Sequence, residues 1–576
     1  MPKNIQQIKK YGDRILSKTF KKLASEDVTF LMPAFYPQRG GVLAELVKNG
    51  GKAIIAGGAK GQQIFKEIPQ YGIEGGTTGI EESIEKLTQI VKAYPEDIMG
   101  DVAVFSEAPL GNNAWSNAVK NHLPNVNIIG TNEQNLRLYF EEKVNLTSIL
   151  EKAGLSKHII PSEVVQFPQS IDELTELYKT LSSEDGRVVI QSCGPGVNES
   201  GGGYSTNIVS SFEDFINVCS STEAGKFAKI ATYIQGYNSN LSICVGNTVA
   251  DKNGLGATKQ NLDITESLYH PSTLDSLVSR SKDLGIDESN IFTIVAPATL
   301  KVVGDKNLTH SSTNGVGNMI NHHFEEDISN QIYDIGSKLG HLLGLCGKVG
   351  LAGVDLIVTK EGNIFINEIN DRQQGPTEKT SIHCENNDIP GIHHISFLQN
   401  YADLNDVETK MYMTWLKENQ KEIYQASVQT SSPFYIKMVG KMPAVSDVNL
   451  SSGMYYASRD EQGSWTWDLE NPLPTETQSS IDFDKGEIVV GLTDVGLSCG
   501  QAVPKGTQIA RIIGETTDDE SAPFLIDSER GVSVLNDKWV GVVSSLYKQA
   551  LSPFINQEQA TSSSLSSTAG VEYGTN

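Results

Sequence analysis

Residues 354–358 and 364–369 are short apolar runs separated by Thr359-Lys-Glu-Gly-Asn363, and a glycine-containing polar stretch between two such runs predicts a β-hairpin. Nearer the N-terminus, Asp27-Val-Thr-Phe-Leu-Met, Lys52-Ala-Ile-Ile-Ala, Asp101-Val-Ala-Val-Phe and Val126-Asn-Ile-Ile-Gly read as strands. Helical patterns over 42–48 and about 80–93 lie between them, and strands alternating with helices predict a parallel sheet. The glycine pairs at 40–41, 57–58 and 75–76 are read as turns, because no GxGxxG with a downstream acid is present. From 132 a helical pattern runs through Leu136, Tyr139, Phe140, Val144, Ile149 and Leu150 and stops at Ala153-Gly154. The run Arg187-Val-Val-Ile-Gln191 predicts a strand that enters a glycine-rich loop, and a helix opens at Ser211. Residues 329–344 place Ile332, Ile335, Leu339, Leu342 and Leu343 on one face of an amphipathic helix. The polar stretch 373–380 predicts a loop. Beyond about 430 short alternating strands recur between turn residues, predicting a small β-rich domain. From 553 the chain is rich in Ser, Thr, Gln and Gly, which predicts a disordered tail.

A chain of 576 residues exceeds what one core supports, so several domains are expected. The boundaries read as an α/β unit over 1–130, a central domain over 131–410, a β-rich domain over 430–552 and the tail over 553–576. The formal net charge is −24 and no basic stripe occurs, which excludes a nucleic-acid groove. The six cysteines lack Cys-x-x-Cys or Cys/His spacing, so neither a zinc site nor a disulfide framework is predicted and a reduced compartment follows. No run approaches the roughly 18 apolar residues of a membrane span, and the positively charged start has no apolar segment behind it. A cytoplasmic protein without a membrane partner is expected.

The hairpin also carries the chemistry. Asp355 on one strand and Glu368 on the other are spaced so that a tight hairpin sets them opposite each other. Glu368 and Asn370 are two apart and share a face. Three oxygen-bearing side chains then suit a hard cation such as Mg²⁺, and Arg372 adds a two-pronged cation for a phosphate or carboxylate.

An acid followed by Glu-x-Asn-x-Arg, here Asp355 and Glu368-Ile-Asn370-Asp-Arg372, resembles the metal-binding signature of the ATP-grasp superfamily, most like the pheganomycin-type peptide ligases. That resemblance implies an ATP-grasp fold with an N-terminal parallel α/β (pre-ATP-grasp) domain and a C-terminal β-rich domain, α/β and α+β in class. It makes Asp355, Glu368 and Asn370 metal ligands and Arg372, with Lys301, catalytic. Phe140-Glu-Glu-Lys143 resembles the element that delivers a phosphate-contacting lysine. Gly201, Gly202, Gly203, Ser205 and Thr206 resemble a phosphate-covering loop, and Tyr233 and Ile234 the strand that meets adenine. Gln191 stands where many members carry a second lysine, and Ala231, Asn238 and Ser239 replace the usual acids of the ribose site. The implied activity is carboxylate activation by ATP and Mg²⁺, with Mn²⁺ able to substitute, followed by amide formation with an amine and release of ADP and phosphate. Small-molecule carboxylate and amine substrates, and a homodimer, are the partners it allows. A biotin-carboxylase-like enzyme, a carboxylate–thiol ligase and a non-catalytic ATP-binding regulator are the alternatives.

Overall fold

The computed structural model describes residues 5–25, 29–33, 41–59, 68, 70–73, 102–105, 127–129, 139–194, 206–248, 272–283, 285–320, 322–386, 389–428, 432–474, 477–493, 497–516, 518 and 520–553. The helix expected near 80–93, residues 201–205 and the tail beyond 553 lie outside them. The chain divides into two compact units, residues 1–299 with 320–429, and residues 300–319 with 430–576. This differs from the expected 131–410 domain, because residues 315–319 pair with the C-terminal strand 432–439, Asn318 opposite Tyr435.

The first unit opens with α1 (Ile5–Ser25), β1 (Thr29–Pro33), α2 (Gly41–Lys48), β2 (Lys52–Ala59), β3 (Gln70–Ile73), β4 (Val102–Phe105) and β5 (Asn127–Ile129). The strands form a parallel sheet in the order β3-β2-β1-β4-β5, as the alternation of strands and helices predicts. The sequence pattern did not reveal α1. Its buried Ile8, Ile15, Leu16, Phe20 and Leu23 recur at intervals of one face of a 3.6-residue helix, among enough lysines to hide the pattern.

Next come α3 (Leu146–Lys152), β6 (Ser162–Gln166), α4 (Ile171–Leu181), β7 (Val188–Cys193), β8 (Thr206–Val209), α5 (Phe212–Ser220) and β9 (Phe227–Thr232). The strands make an antiparallel sheet in the order β6-β9-β7-β8. Both α4 and α5 start at serine caps: Ser170 with Glu173 in a reciprocal capping box, and Ser211 accepting from the Asp214 N–H at 3.1 Å. They cover one face of the sheet through Leu174, Leu177, Phe215, Val188, Ile190, Ala228 and Ile230. The continuous helix expected up to Gly154 is broken. Residues 139–141 are helical, 143–145 turn, and α3 begins at Leu146. The Asn145 amide donates to the Tyr139 carbonyl at 3.0 Å, an alternative partner of the kind that competes with helix continuation.

The rest of the unit is built on β10 (Tyr237–Asn247), α6 (Ser272–Asp283) and β11 (Ile291–Val295). The next strands in sequence, β12 (Thr299–Val303) and β13 (Gly315–Met319), fall almost wholly in the second unit. Then follow α7 (Glu326–Leu345), β14 (Gly350–Val358), β15 (Ile364–Asn370), α8 (Thr377–Asn386), α9 (Ile392–Tyr401), α10 (Val407–Glu418) and α11 (Gln420–Ser427). β11, β10, β14 and β15 pair antiparallel in that order. α7 lies close on β10 and β11: a Cβ at Gly336 would come within 2.9 Å of Leu241, and one at Gly340 within 2.3 Å of Thr293. α1, α9 and α10 share one apolar core with β1 and α2. Where the polar stretch 373–380 predicts a loop, the chain loops only to Pro376 and then enters α8. A polar composition does not forbid a helix whose face is buried, and Thr377, Thr380, Ser381 and His383 are.

In the second unit, β12 pairs with β13 and β13 with β16 (Ser432–Val439). Beyond them lie β17 (Ala444–Ser446), β18 (Gly453–Arg459), β19 (Trp465–Trp467), β20 (Ser480–Asp482), β21 (Glu487–Thr493), β22 (Ala502–Val503), β23 (Gln508–Thr516), β24 (Phe524–Asp527), β25 (Val532–Leu535), a helix, α12 (Asp537–Ala550), and β26 (Leu551–Pro553). Trp539 of α12 meets Phe434 and Phe483 edge-on at 5.1 and 5.6 Å.

Candidate active site

The hairpin β14–β15 is formed as the sequence predicts. Its register sets Asp355 opposite Glu368 and Gly353 opposite Asn370. A register shift between Asp355 and Leu356 leaves Asn367 as an extra residue in β15, a bulge of the kind that re-aims side chains beside sites. The two carboxylates and the Asn370 amide therefore share one face. On its other side, Asp355 lies opposite Asn240 of β10, which donates to Asp355 Oδ1 in a very short hydrogen bond. Gln374 Nε2 donates to the same oxygen at 2.6 Å. Gly353 makes that second bond possible, since a Cβ there would sit 2.2 Å from the Gln374 side chain. Two amides thus fix the Asp355 carboxylate in a pocket where only 9% of the residue is exposed.

Alternation then sends the following residues to opposite sides. Arg372 Nη2 donates to Asn370 Oδ1 at 2.8 Å, and Arg372 Nε lies 3.1 Å from Glu141 Oε1. Asp371 turns the other way, into a fully buried ion pair with Lys348 at 2.8 Å. The segment is clamped from both sides, which orients Arg372.

Glu141 also brings the turn 143–145 to the hairpin. Lys143 sits in that turn, 8% exposed, not on a helix as the sequence pattern suggests. Its neighbour Glu142 accepts the Gly194 N–H at 3.1 Å, tying the turn to the end of β7. On β7, Gln191 donates weakly to Thr206 Oγ1 at 3.4 Å. Directly across on β9, in register with Gln191, stands Lys229, a residue that no sequence motif singles out. Lys229 is 3% exposed. Burial, then the like charge of Lys143, push its ammonium down to about 8, against the opposing pull of Cys193 and Glu368. Burial pushes the Cys193 thiol up to about 12, which removes it as a nucleophile.

The structure therefore gathers Asp355, Glu368, Asn370 and Arg372 at one end of the hairpin. The Glu141–Arg372 contact brings the stretch bearing Lys143 to them, and Lys229, across from Gln191, feels the charges of Lys143 and Glu368. Tyr233 and Ile234 lie in the link between β9 and β10, and the Arg187 guanidinium covers the Tyr233 ring at 3.8 Å. Lys301 belongs to the second unit, opposite Asn318 on β13. Gly201, Gly202, Gly203 and Ser205 lie outside the described residues. Glu141, Asn240, Gln374 and the pair Lys348–Asp371 were missed as well, because each acts through a partner distant in sequence. Lys229 had a local signal: a lysine inside the strand run Ala228-Lys-Ile-Ala. Among the described residues no group of three or more His, Cys, Asp or Glu converges on a metal-sized site; the hairpin offers two carboxylates and an amide.

No family model and no curated protein matches this chain. Among solved structures, a biotin carboxylase–β-γ-ATP complex from Campylobacter jejuni aligns at 13% identity and a TM-score of 0.49, over 85% of this chain and 88% of that one. The biotin carboxylase domain dimer of a Hydrogenobacter thermophilus 2-oxoglutarate carboxylase, bound to MgADP, aligns at 10% and 0.48, over 85% and 86%. An N5-carboxyaminoimidazole synthetase from Staphylococcus aureus complexed with ADP aligns at 11% and 0.43, over 85% and 94%. These scores all fall below 0.5, so the functional assignment rests on the residues of this chain. Among the described residues no helix is long and apolar enough to cross a membrane.

Proposed function

We propose that this protein is an ATP-dependent carboxylate–amine ligase of the ATP-grasp kind, in the manner of peptide-forming members. The observation that carries the proposal is the hairpin register: Asp355 faces Glu368 with Asn370 on the same side and Arg372 held beside them. Asp355, Glu368 and Asn370 present the all-oxygen donor set that suits Mg²⁺, which when bound would neutralise charge on a transferred phosphoryl group.

The substrate carboxylate is its own nucleophile. One of its oxygens attacks the γ-phosphorus, the bond to the β–γ bridging oxygen breaks, and ADP leaves. An amine then forms the C–N bond to the acyl carbon as the C–O bond to phosphate breaks, and the amine proton is lost to water. The protein's task is positioning and charge stabilisation. Arg372, fixed by Glu141 and Asn370, retains N–H groups that can hold a carboxylate or phosphate oxygen. Lys143, buried and close to the hairpin, offers a cation to the phosphate chain. Lys301 is a further catalytic cation by the resemblance of the sequence alone.

The reading is tested by incubating the purified protein with Mg-ATP and pooled amino acids and small acids. ADP and phosphate release, with a product lighter by one water than its two parents, is the expected result. Release of AMP would overturn the acyl-phosphate route, and turnover dependent on biotin and bicarbonate would point to carboxylation instead.

A further inference from the structure

We propose that Lys229 is a second phosphate-binding cation of the nucleotide site, placed across the sheet from Gln191, an uncharged amide unable to neutralise an oxyanion. The proposal rests on the ligase reading and adds to it a residue that the sequence motif does not contain.

Strand alternation sets the direction of the side chain. Cross-strand partners in an antiparallel pair share a face. On β7 and β9, Ile190 with Ile230 and Val188 with Thr232 are such pairs, and Val188, Ile190, Ala228 and Ile230 pack into the core under α4 and α5. Gln191 and Lys229 are the pair next to Ile190 and Ile230, so both point away from the helices. That face is nonetheless buried: Gln191 is 6% and Lys229 3% exposed. A lysine on a helix-free sheet face ordinarily extends its ammonium to water, and this one does not.

Its charge is not answered by the described residues. Lys229 has no carboxylate within ion-pair distance and no side-chain hydrogen bond among them. The electrostatic influences on it are the like charge of Lys143 and the smaller opposing pulls of Cys193 and Glu368. A buried ammonium beside a second one is costly in the free protein. The arrangement becomes favourable when a polyanion brings oxygens to both cations, and the acidic hairpin can hold a cation of its own. A nucleotide polyphosphate with a divalent metal has that charge pattern: negative oxygens towards Lys143 and Lys229, and the metal towards Asp355 and Glu368.

The test measures binding of Mg-ATP and of adenosine to the full chain by calorimetry, and ligand-free melting, for wild type, Lys229→Met, Lys143→Met and the exchange Gln191→Lys/Lys229→Gln. Hydrogen bonds to charged groups correspond to about 10- to 150-fold in affinity, and a loss of that size for Mg-ATP is expected in Lys229→Met. Adenosine binding should be unchanged and ligand-free melting unchanged or raised. The exchange variant, which restores a lysine on the facing strand, should recover most of the Mg-ATP affinity. Wild-type Mg-ATP affinity in Lys229→Met, with binding lost in Lys143→Met, would overturn this inference and leave the ligase reading standing. A lowered melting temperature with equal losses for ATP and adenosine would show a structural lysine and overturn it too. No Mg-ATP binding by the wild type would overturn the ligase reading itself.

Discussion

The hairpin end and the second sheet both bury charge, but they treat it differently. At the hairpin, Asp355 receives two amides, Arg372 lies against Glu141, and Lys348 is sealed against Asp371. On the second sheet, Lys229 is just as buried and is held by no described acid at ion-pair distance. Charges completed within the chain fix a geometry; a charge left for something else to complete marks where that something binds. The hairpin end is therefore held by the chain's own contacts, whereas Lys229 is buried without a described acid to hold it.

Lys348 is where that contrast breaks most visibly. Removing one member of a buried pair leaves the other uncompensated, so Lys348→Met should destabilise the first unit by about 3–5 kcal/mol, whereas Lys348→Met/Asp371→Leu should recover most of that. Urea titration of both variants measures it, and an equal loss in the two would deny the pair its role. Glu368→Gln should keep stability and lower turnover by about 10²- to 10³-fold, the scale of losing one preorganised electrostatic contact; wild-type turnover in that variant would end the metal assignment.

Smaller effects are expected around Asp355. Gln374→Ala removes one of its two amides and should raise the Mg²⁺ requirement about 10- to 100-fold, as loss of a metal ligand's supporting hydrogen bond does. Gly353→Ala should act in the same direction, since its Cβ displaces Gln374. A magnesium titration of activity decides both. The smallest effect concerns pH. The Lys229 ammonium is lowered from 10.5 to about 8 in the folded chain, so between those values the unfolded chain holds a proton that the folded chain has lost. Stability from this group therefore rises as pH climbs through that window, while Mg-ATP affinity, which needs the ammonium charged beside Lys143, Cys193 and Glu368, falls. Opposite slopes of melting temperature and affinity from about pH 7.5 to about 9.5 would fit that linkage; affinity flat across that range would not.

The legible part of the site was the part written locally. Asp355, Glu368, Asn370 and Arg372 fall within one hairpin, where alternation fixes faces and spacing fixes register. Gln374 lies in the loop the sequence predicts, but its bond back to Asp355 is not legible there, because it depends on the room that Gly353 leaves. The apolar spacing predicts a helix through Lys143, and nothing in it shows the Asn145 side chain capturing the Tyr139 carbonyl. Lys229 is not legible because a lone lysine in a strand is usually solvated, whereas here it is buried opposite Gln191 on β7. α1 was hidden by its charge, although its buried positions keep helical spacing.

One further contact bears on how the chain is made. His158 Nδ1 lies 2.7 Å from the Ile364 carbonyl, 206 residues later in the chain, and Ile159 pairs in parallel with Ile366. At ribosomal rates of roughly 5–20 residues per second, about 10 to 40 s separate the emergence of those two segments. The edge of β15 is thus closed by a stretch synthesised long before it, while Glu141, two residues before Lys143, must wait in the nascent chain for Arg372. Vectorial synthesis delivers Lys143 and Lys229 first, and Glu141 meets Arg372 only after the last strand of the hairpin has been made.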